Sequence, residues 1–146
     1  MLAVVLTACA SILSVPNYRA LTKQSVARGT ACNQAAARFA AAPSGEARRD
    51  VLERLKELNS ALIETAGYAQ ETRRENSVDL IDANRAFLET GRAWAGCSLK
   101  YNTVLVAIGE RDAARHNYTG LLARLEGPHF VAERRRIQAA LDELGR

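Results

Sequence analysis

Large apolar residues recur at every seventh position through residues 78–125, at Leu80, Phe87, Trp94, Tyr101 and Ile108, and no proline interrupts them. A second row, three residues on, holds Ala83, Thr90, Cys97 and Val104. Spacings of three and four put both rows on one face of an α-helix, and a sustained seven-residue repeat is what a partner helix packs against. As one continuous helix the stretch would be roughly 70 Å long at about 1.5 Å per residue. It is expected to be the central rod of an all-α protein, an antiparallel bundle of about four long helices.

The three prolines, at 16, 43 and 128, mark where the other helices start and stop. Residues 16–42 form the first: Tyr18, Leu21, Ser25, Gly29, Cys32, Ala36 and Phe39 share one side. The middle of that side is built from small residues. Gly29 sacrifices about 1 kcal/mol of helix propensity relative to alanine, which points to close packing. Pro43-Ser44-Gly45 makes a turn with Ser44 as N-cap of a second helix over 45–74, whose stripe is Val51, Leu55, Leu58, Leu62, Ala66 and Ala69. The link at 75–77 is short, so the second helix and the central rod form a hairpin, with Ser77 as a cap. Gly91, Gly96 and Gly109 weaken the rod, and a kink or turn is expected at 100–103 or 116–120. Gly127-Pro128 stops it. A last helix follows, with Phe130, Val131, Ile137, Leu141 and Leu144 inward and Arg134-Arg135-Arg136 on a solvated face.

The first residues carry a different signal. Leu6-Thr7-Ala8-Cys9 closes a short apolar run. It resembles the lipobox of bacterial lipoproteins, a branched apolar residue and two small ones before the cysteine that is acylated. The resemblance implies that residues 1–8 are the remnant of a signal peptide, that Cys9 is the lipidated residue, and that 9–16 tether a bundle domain at 17–146. The remnant is short: Cys9 is the ninth residue and the first basic one is Arg19. In that family an aspartate after the cysteine favours the inner membrane. Ala10 stands here, which implies an outer-membrane lipoprotein facing the periplasm. The alternative is that residues 2–13 are the apolar beginning of the first helix of a cytosolic protein. A second likeness concerns packing only. The segment Asp79-Leu80-Ile81-Asp82-Ala83-Asn84-Arg85-Ala86-Phe87-Leu88, with Tyr101-Asn102 beyond it, is similar to part of a coiled-coil helix of outer-membrane efflux channels, and no function is carried over from it.

With Cys9 acylated, two cysteines remain, and thiols in an oxidising compartment are expected to pair. Cys32 and Cys97 both sit on inward faces beside small residues, Gly29 and Ala36 for the first, Ala93 and Gly96 for the second. Small neighbours matter because a disulfide needs Cα atoms about 5.5–6 Å apart, closer than bulky helix contacts allow. Left reduced, the same residues would be two buried thiols of a cytosolic bundle.

The remaining chemistry-bearing residues form no catalytic pattern. His116 and His129 stand on either side of Gly127-Pro128 at no metal-ligand spacing, so neither a metal nor another cofactor is expected. No G-x-S-x-G or phosphate-cradling glycine loop occurs. The acidic pairs Asp79/Asp82 and Asp142/Glu143 are ordinary on helix surfaces, the first favoured by the dipole of the rod's N-terminus. Twenty Lys and Arg against sixteen Asp and Glu leave a formal charge of +4, too small and too interleaved to indicate nucleic-acid binding. The expected function is therefore non-enzymatic: an envelope lipoprotein that binds or braces a partner protein in a larger assembly. A cytosolic interaction or regulatory protein and a basic nucleic-acid binder are the alternatives.

Overall fold

The computed structural model describes residues 15–145, and every regular element among them is helical. In chain order these are α1 (Tyr18–Ala41), α2 (Gly45–Arg74), α3 (Leu80–Ala107), α4 (Arg111–Arg124), a single 3₁₀ turn (Pro128–Phe130) and α5 (Val131–Leu144). They pack as a bundle in which α1, α2 and α3 are long and α4 and α5 are about half their length.

Each start has a local cause. The Asn17 side chain accepts a hydrogen bond from the Ala20 amide at 3.0 Å, and Ser44 does the same for Ala47 at 3.1 Å. Each therefore satisfies an amide that has no partner within the helix. Pro43 keeps α1 from running on. At the end of α2, Asn76 takes a left-handed conformation (φ 51°), and the amides of Asn76 and Ser77 turn back to the carbonyls of Arg73 and Thr72. That pair of bonds is the Schellman closure, and asparagine is one of the few residues that enters it readily. Ser77 does not start α3 as its N-cap. Asp79 holds that position, and the Ser77 hydroxyl instead accepts from the Asp79 amide at 3.1 Å.

The central rod is two helices, not one. α3 closes at Ile108 with the same device: Gly109 adopts φ 89°, its amide reaches Val106 and the Glu110 amide reaches Leu105. The chain reverses there rather than at 100–103 or 116–120, both of which are unbroken helix. The positive φ is what selects Gly109 over any neighbour. Ile108, at the exposed end of α3, is left outside the seam it was expected to extend.

One continuous apolar core results. Between α1, α2 and α3 lie Cys32, Phe39, Val51, Leu58 and Leu105, with Phe39 and Tyr101 stacked at 5.8 Å. Under α4 and α5 lie Leu121, Leu125, Phe130 and Ile137. Burying each such side chain fully stabilises the fold by about 1.5–3 kcal/mol. Phe130 meets Phe87 edge-on at 5.3 Å and lies flush on the backbone at Gly91. Val131 turns outward instead of inward, because the 3₁₀ turn directs Phe130 into the core and rotates the next residue away. The last turn of α5 is held by Arg111 and Arg115, which both donate to the Leu144 carbonyl, and cations suit the negative end of a helix dipole.

Glycines in α3 therefore have opposite meanings. A Cβ at position 91 would lie 2.3 Å from the Phe130 ring, whereas one at 96 meets nothing within 4 Å. Gly91→Ala is expected to destabilise the protein by about 1–3 kcal/mol through overpacking. Gly96→Ala should be neutral or stabilising by up to about 1 kcal/mol through helix propensity. Urea midpoints of the two variants check the difference in sign.

Candidate functional site

The α1–α3 seam follows from which residues lack bulk. Its contacts come in ascending order along both helices, Arg19 with Asp82, Ser25 with Thr90, Gly29 with Ala93, Cys32 with Cys97 and Phe39 with Tyr101, so the two helices run in the same direction. At its centre a Cβ on Gly29 would stand 2.8 Å from the Ala93 methyl. Only a glycine lets the backbones come this close. One helical turn further on, the Cα atoms of Cys32 and Cys97 are 5.9 Å apart and their sulfurs are joined. Ala93 supplies the close neighbour expected beside Cys97, and Gly96, expected beside it too, faces open space.

Hydroxyls continue the seam. Thr90 gives its proton to the Ala86 carbonyl at 2.7 Å, so its oxygen is the acceptor for the buried Ser25 hydroxyl at 2.6 Å. Both groups are thereby satisfied inside the protein, where an unpaired one would be expensive. Both cysteines are fully buried. No thiolate in solvent can reach the bridge without local opening, so it acts as a staple and not as a redox centre.

Ion pairs close the seam's ends. Arg19 and Asp82 meet at 2.9 Å at one end. At the other, Arg48 pairs with Glu110 and lies over the Phe39 ring at 5.5 Å; the bond to Glu110 raises the guanidinium's pKa further. Asp50, in the first turns of α2, accepts from Arg38 at 2.7 Å and Arg54 at 3.1 Å, and the Arg38 bond chiefly lowers its pKa below the ordinary carboxylate value. Burial raises the pKa of the Tyr18, Tyr101 and Tyr118 phenols.

The other residues singled out in the sequence are dispersed. Cys9 lies outside the described residues. His116 is on α4, and His129 is in the 3₁₀ turn against Phe87 at 5.9 Å. Among the described residues no three His, Cys, Asp or Glu side chains gather as a metal would require. Asp142 accepts from Gln138. Arg135 and Arg136 face solvent, while Arg134 is half-buried.

One arrangement was not evident in the sequence. Where α4 folds back along α3, across from α2, a cleft of about 360 Å³ opens beside Trp94 and Tyr101. Buried Asn102 donates to the Ser98 carbonyl at 2.8 Å and accepts from Asn117 of α4 at 2.8 Å. Arg124 crosses the mouth, bonded to Asn59 of α2 and lying over the Trp94 ring at 6.0 Å. The available signal was Ser98 and Asn102, polar residues interrupting an apolar helix face. No family model, curated protein or solved structure matches the chain.

Two outcomes follow from the seam. The bridge spans 65 residues of sequence, so replacing both cysteines by serine should lower stability by roughly 2–4 kcal/mol in denaturant titrations. Asp50, with its pKa lowered by folding, contributes stability that is present above about pH 4 and lost as pH falls through the lower folded value. In Arg38→Gln the Asp50 carboxyl should titrate closer to its ordinary value, read by NMR, and this part of the acid dependence should shrink.

Proposed function

We propose that the chain is a non-enzymatic lipoprotein of the bacterial cell envelope, anchored in the outer membrane through acylated Cys9 and facing the periplasm, where its helical bundle binds or braces a partner protein. The observation that carries the reading is the buried Cys32–Cys97 bridge. Structural disulfides persist in oxidising compartments and are rare in the cytosol of most organisms. The lipobox-like Leu6-Thr7-Ala8-Cys9 supplies an independent reason to put the chain in such a compartment.

Geometry at one end of the bundle is compatible with an anchor. From Cys9 to the Asn17 cap is eight residues, at most about 30 Å of extended chain. Acyl chains on Cys9 would therefore hold the α1 end of the bundle close to a lipid surface. Val15, Val78 and Ile81 are all strongly exposed there, Val78 at 96%. No helix among the described residues is long and apolar enough to cross a membrane.

In this reading the bundle is antiparallel, with α1, α2 and α3 as three long rods and the α4–α5 pair in the place of a fourth. Contacts between α1 and α2 support it by coming in opposite order, Tyr18 with Tyr68 and Arg38 with Asp50. Exposed Val26 and Ile63 on the outer faces of α1 and α2 are candidate partner contacts.

Mass spectrometry and fractionation test the anchor. The mature protein should begin at a diacylated or triacylated Cys9 and sediment with outer membranes, and Cys9→Ser should move to the soluble fraction and recover fewer partners in pull-downs from solubilised envelopes. An unmodified Met1, or unchanged fractionation of Cys9→Ser, would overturn it.

A further inference from the structure

We infer that the bundle meets a lipid surface end-on, with Val15, Val78 and Ile81 entering the headgroup layer, so that the anchored domain stands upright on the membrane. The inference rests on the anchored reading for what brings lipid to this end; the contact itself belongs to the fold.

Val15, Val78 and Ile81 are the three most exposed large apolar side chains among the described residues, at 71%, 96% and 71%. All three fall at one end of the bundle. The Arg19–Asp82 pair at 2.9 Å ties the first turn of α1 to that of α3, and Tyr18 against Tyr68 at 5.9 Å ties it to the last turns of α2. Val15 stands two residues before the Asn17 cap, Val78 lies in the α2–α3 turn, and Ile81 is in the first turn of α3. Isolated exposed apolar residues need no explanation, whereas three at one tip do. The fold has no use for them there. Asn76 closes α2 and Asp79 holds the N-cap position of α3, so a polar residue at 78 would serve the turn as well. At 81 the helix dipole would favour an acid over isoleucine.

The surroundings select lipid as the occupant. The chain that reaches this end carries no charged side chain before Arg19. Flanking charges nearly cancel: Arg19 and Arg85 share Asp82, and the exposed Arg73–Arg74 pair stands with Glu71 and Glu75. Neither an acidic nor a basic macromolecule is therefore favoured, and apolar contact is what remains. Arginine stems lie along apolar surface while their guanidinium groups reach phosphates, which suits a tip of aliphatic residues ringed by arginines. Acyl chains and an apolar tip together make the two signals that firm membrane attachment takes. A tether of at most about 30 Å would by itself let the bundle tilt. With the tip seated, the 30 residues of α2 put the opposite end of the bundle roughly 45 Å from the lipid.

Cys9 is the only cysteine outside the bridge, so the purified full chain can be coupled through it to a maleimide-bearing lipid in phosphatidylcholine vesicles. In a Trp94→Phe background a single indole is placed at the tip by Val78→Trp, or at the opposite end by Ile108→Trp, with circular dichroism to check that each variant keeps its helices. Lipids brominated in the upper acyl chain should quench the tip indole about twofold or more, shift its emission to the blue and leave the distant one unchanged. The quenching should persist in about 0.5 M salt, where charge contacts are screened, and Ile81→Asp should remove most of it. An unquenched tip overturns the inference and leaves this end to a protein partner. Equal quenching at both ends lays the bundle flat and overturns it too, as does full quenching with Ile81→Asp. A tip indole already shielded before coupling, covered by this chain or by a second copy, does the same. Because the coupling is chemical, none of these results depends on acylation in the cell, and an unmodified Met1 there would leave them as they are.

Discussion

The approach of α1 to α3 at Gly29 and Ala93 is the constraint on which the rest of the bundle depends. Helix axes normally stand about 8–10 Å apart, with side chains filling the gap. Here the filling is removed, and what replaces it is backbone against a methyl, a pair of hydroxyls one turn before and a covalent bond one turn after. Each needs the others. Ser25 and Thr90 reach each other only if the helices are close, and the sulfurs of Cys32 and Cys97 can be joined only at a spacing that a leucine at position 29 would forbid. Larger residues are then displaced to the flanks: Phe39 and Tyr101 stack beyond the bridge, and Phe87 and Trp94 turn toward the α4–α5 side.

How far the sequence foretold this depends on whether the cause was local. The bounds of α1 and α2 were legible because capping and turn chemistry is written in adjacent residues, Pro43-Ser44-Gly45 above all. The small-residue face of α1 was legible too, since a glycine in mid-helix forfeits helix propensity and Gly29 recovers it only where two backbones meet. The end of α3 was not. Gly91, Gly96 and Gly109 look alike in sequence, and only tertiary surroundings separate them: the first receives an aromatic ring, the second faces open space, and the third takes a conformation barred to its neighbours. Once the rod is broken at Gly109, α4 folds back, and the cleft at Trp94 exists only because of that reversal. Residues 52–59, 94–102 and 116–124 meet there from three helices, a juxtaposition that no periodicity within any one of them encodes.

The two halves of the molecule use polarity differently. Along the α1–α3 seam, buried hydroxyls are satisfied within the two helices and turned away from solvent. On the α4 side, Asn102 and Asn117 form a relay that ends at an open surface. The same helix thus carries buried polar groups on two faces, bonded to α1 on one and to α4 on the other. Arg124 is stacked on Trp94 yet exposed.

The bridge also changes the topology of the chain. Joining positions 32 and 97 makes a covalent ring that contains the end of α1, all of α2, both of its turns and α3 as far as Cys97. A peptide bond cut anywhere within that ring opens the circle but releases nothing, since the two resulting pieces remain one molecule. Outside the ring lie the two arms of the chain: residues 1–31, with the start of α1, and residues 98–146, with the end of α3 and all of α4 and α5. A peptidase would thus find the arms severable and the middle tied to itself.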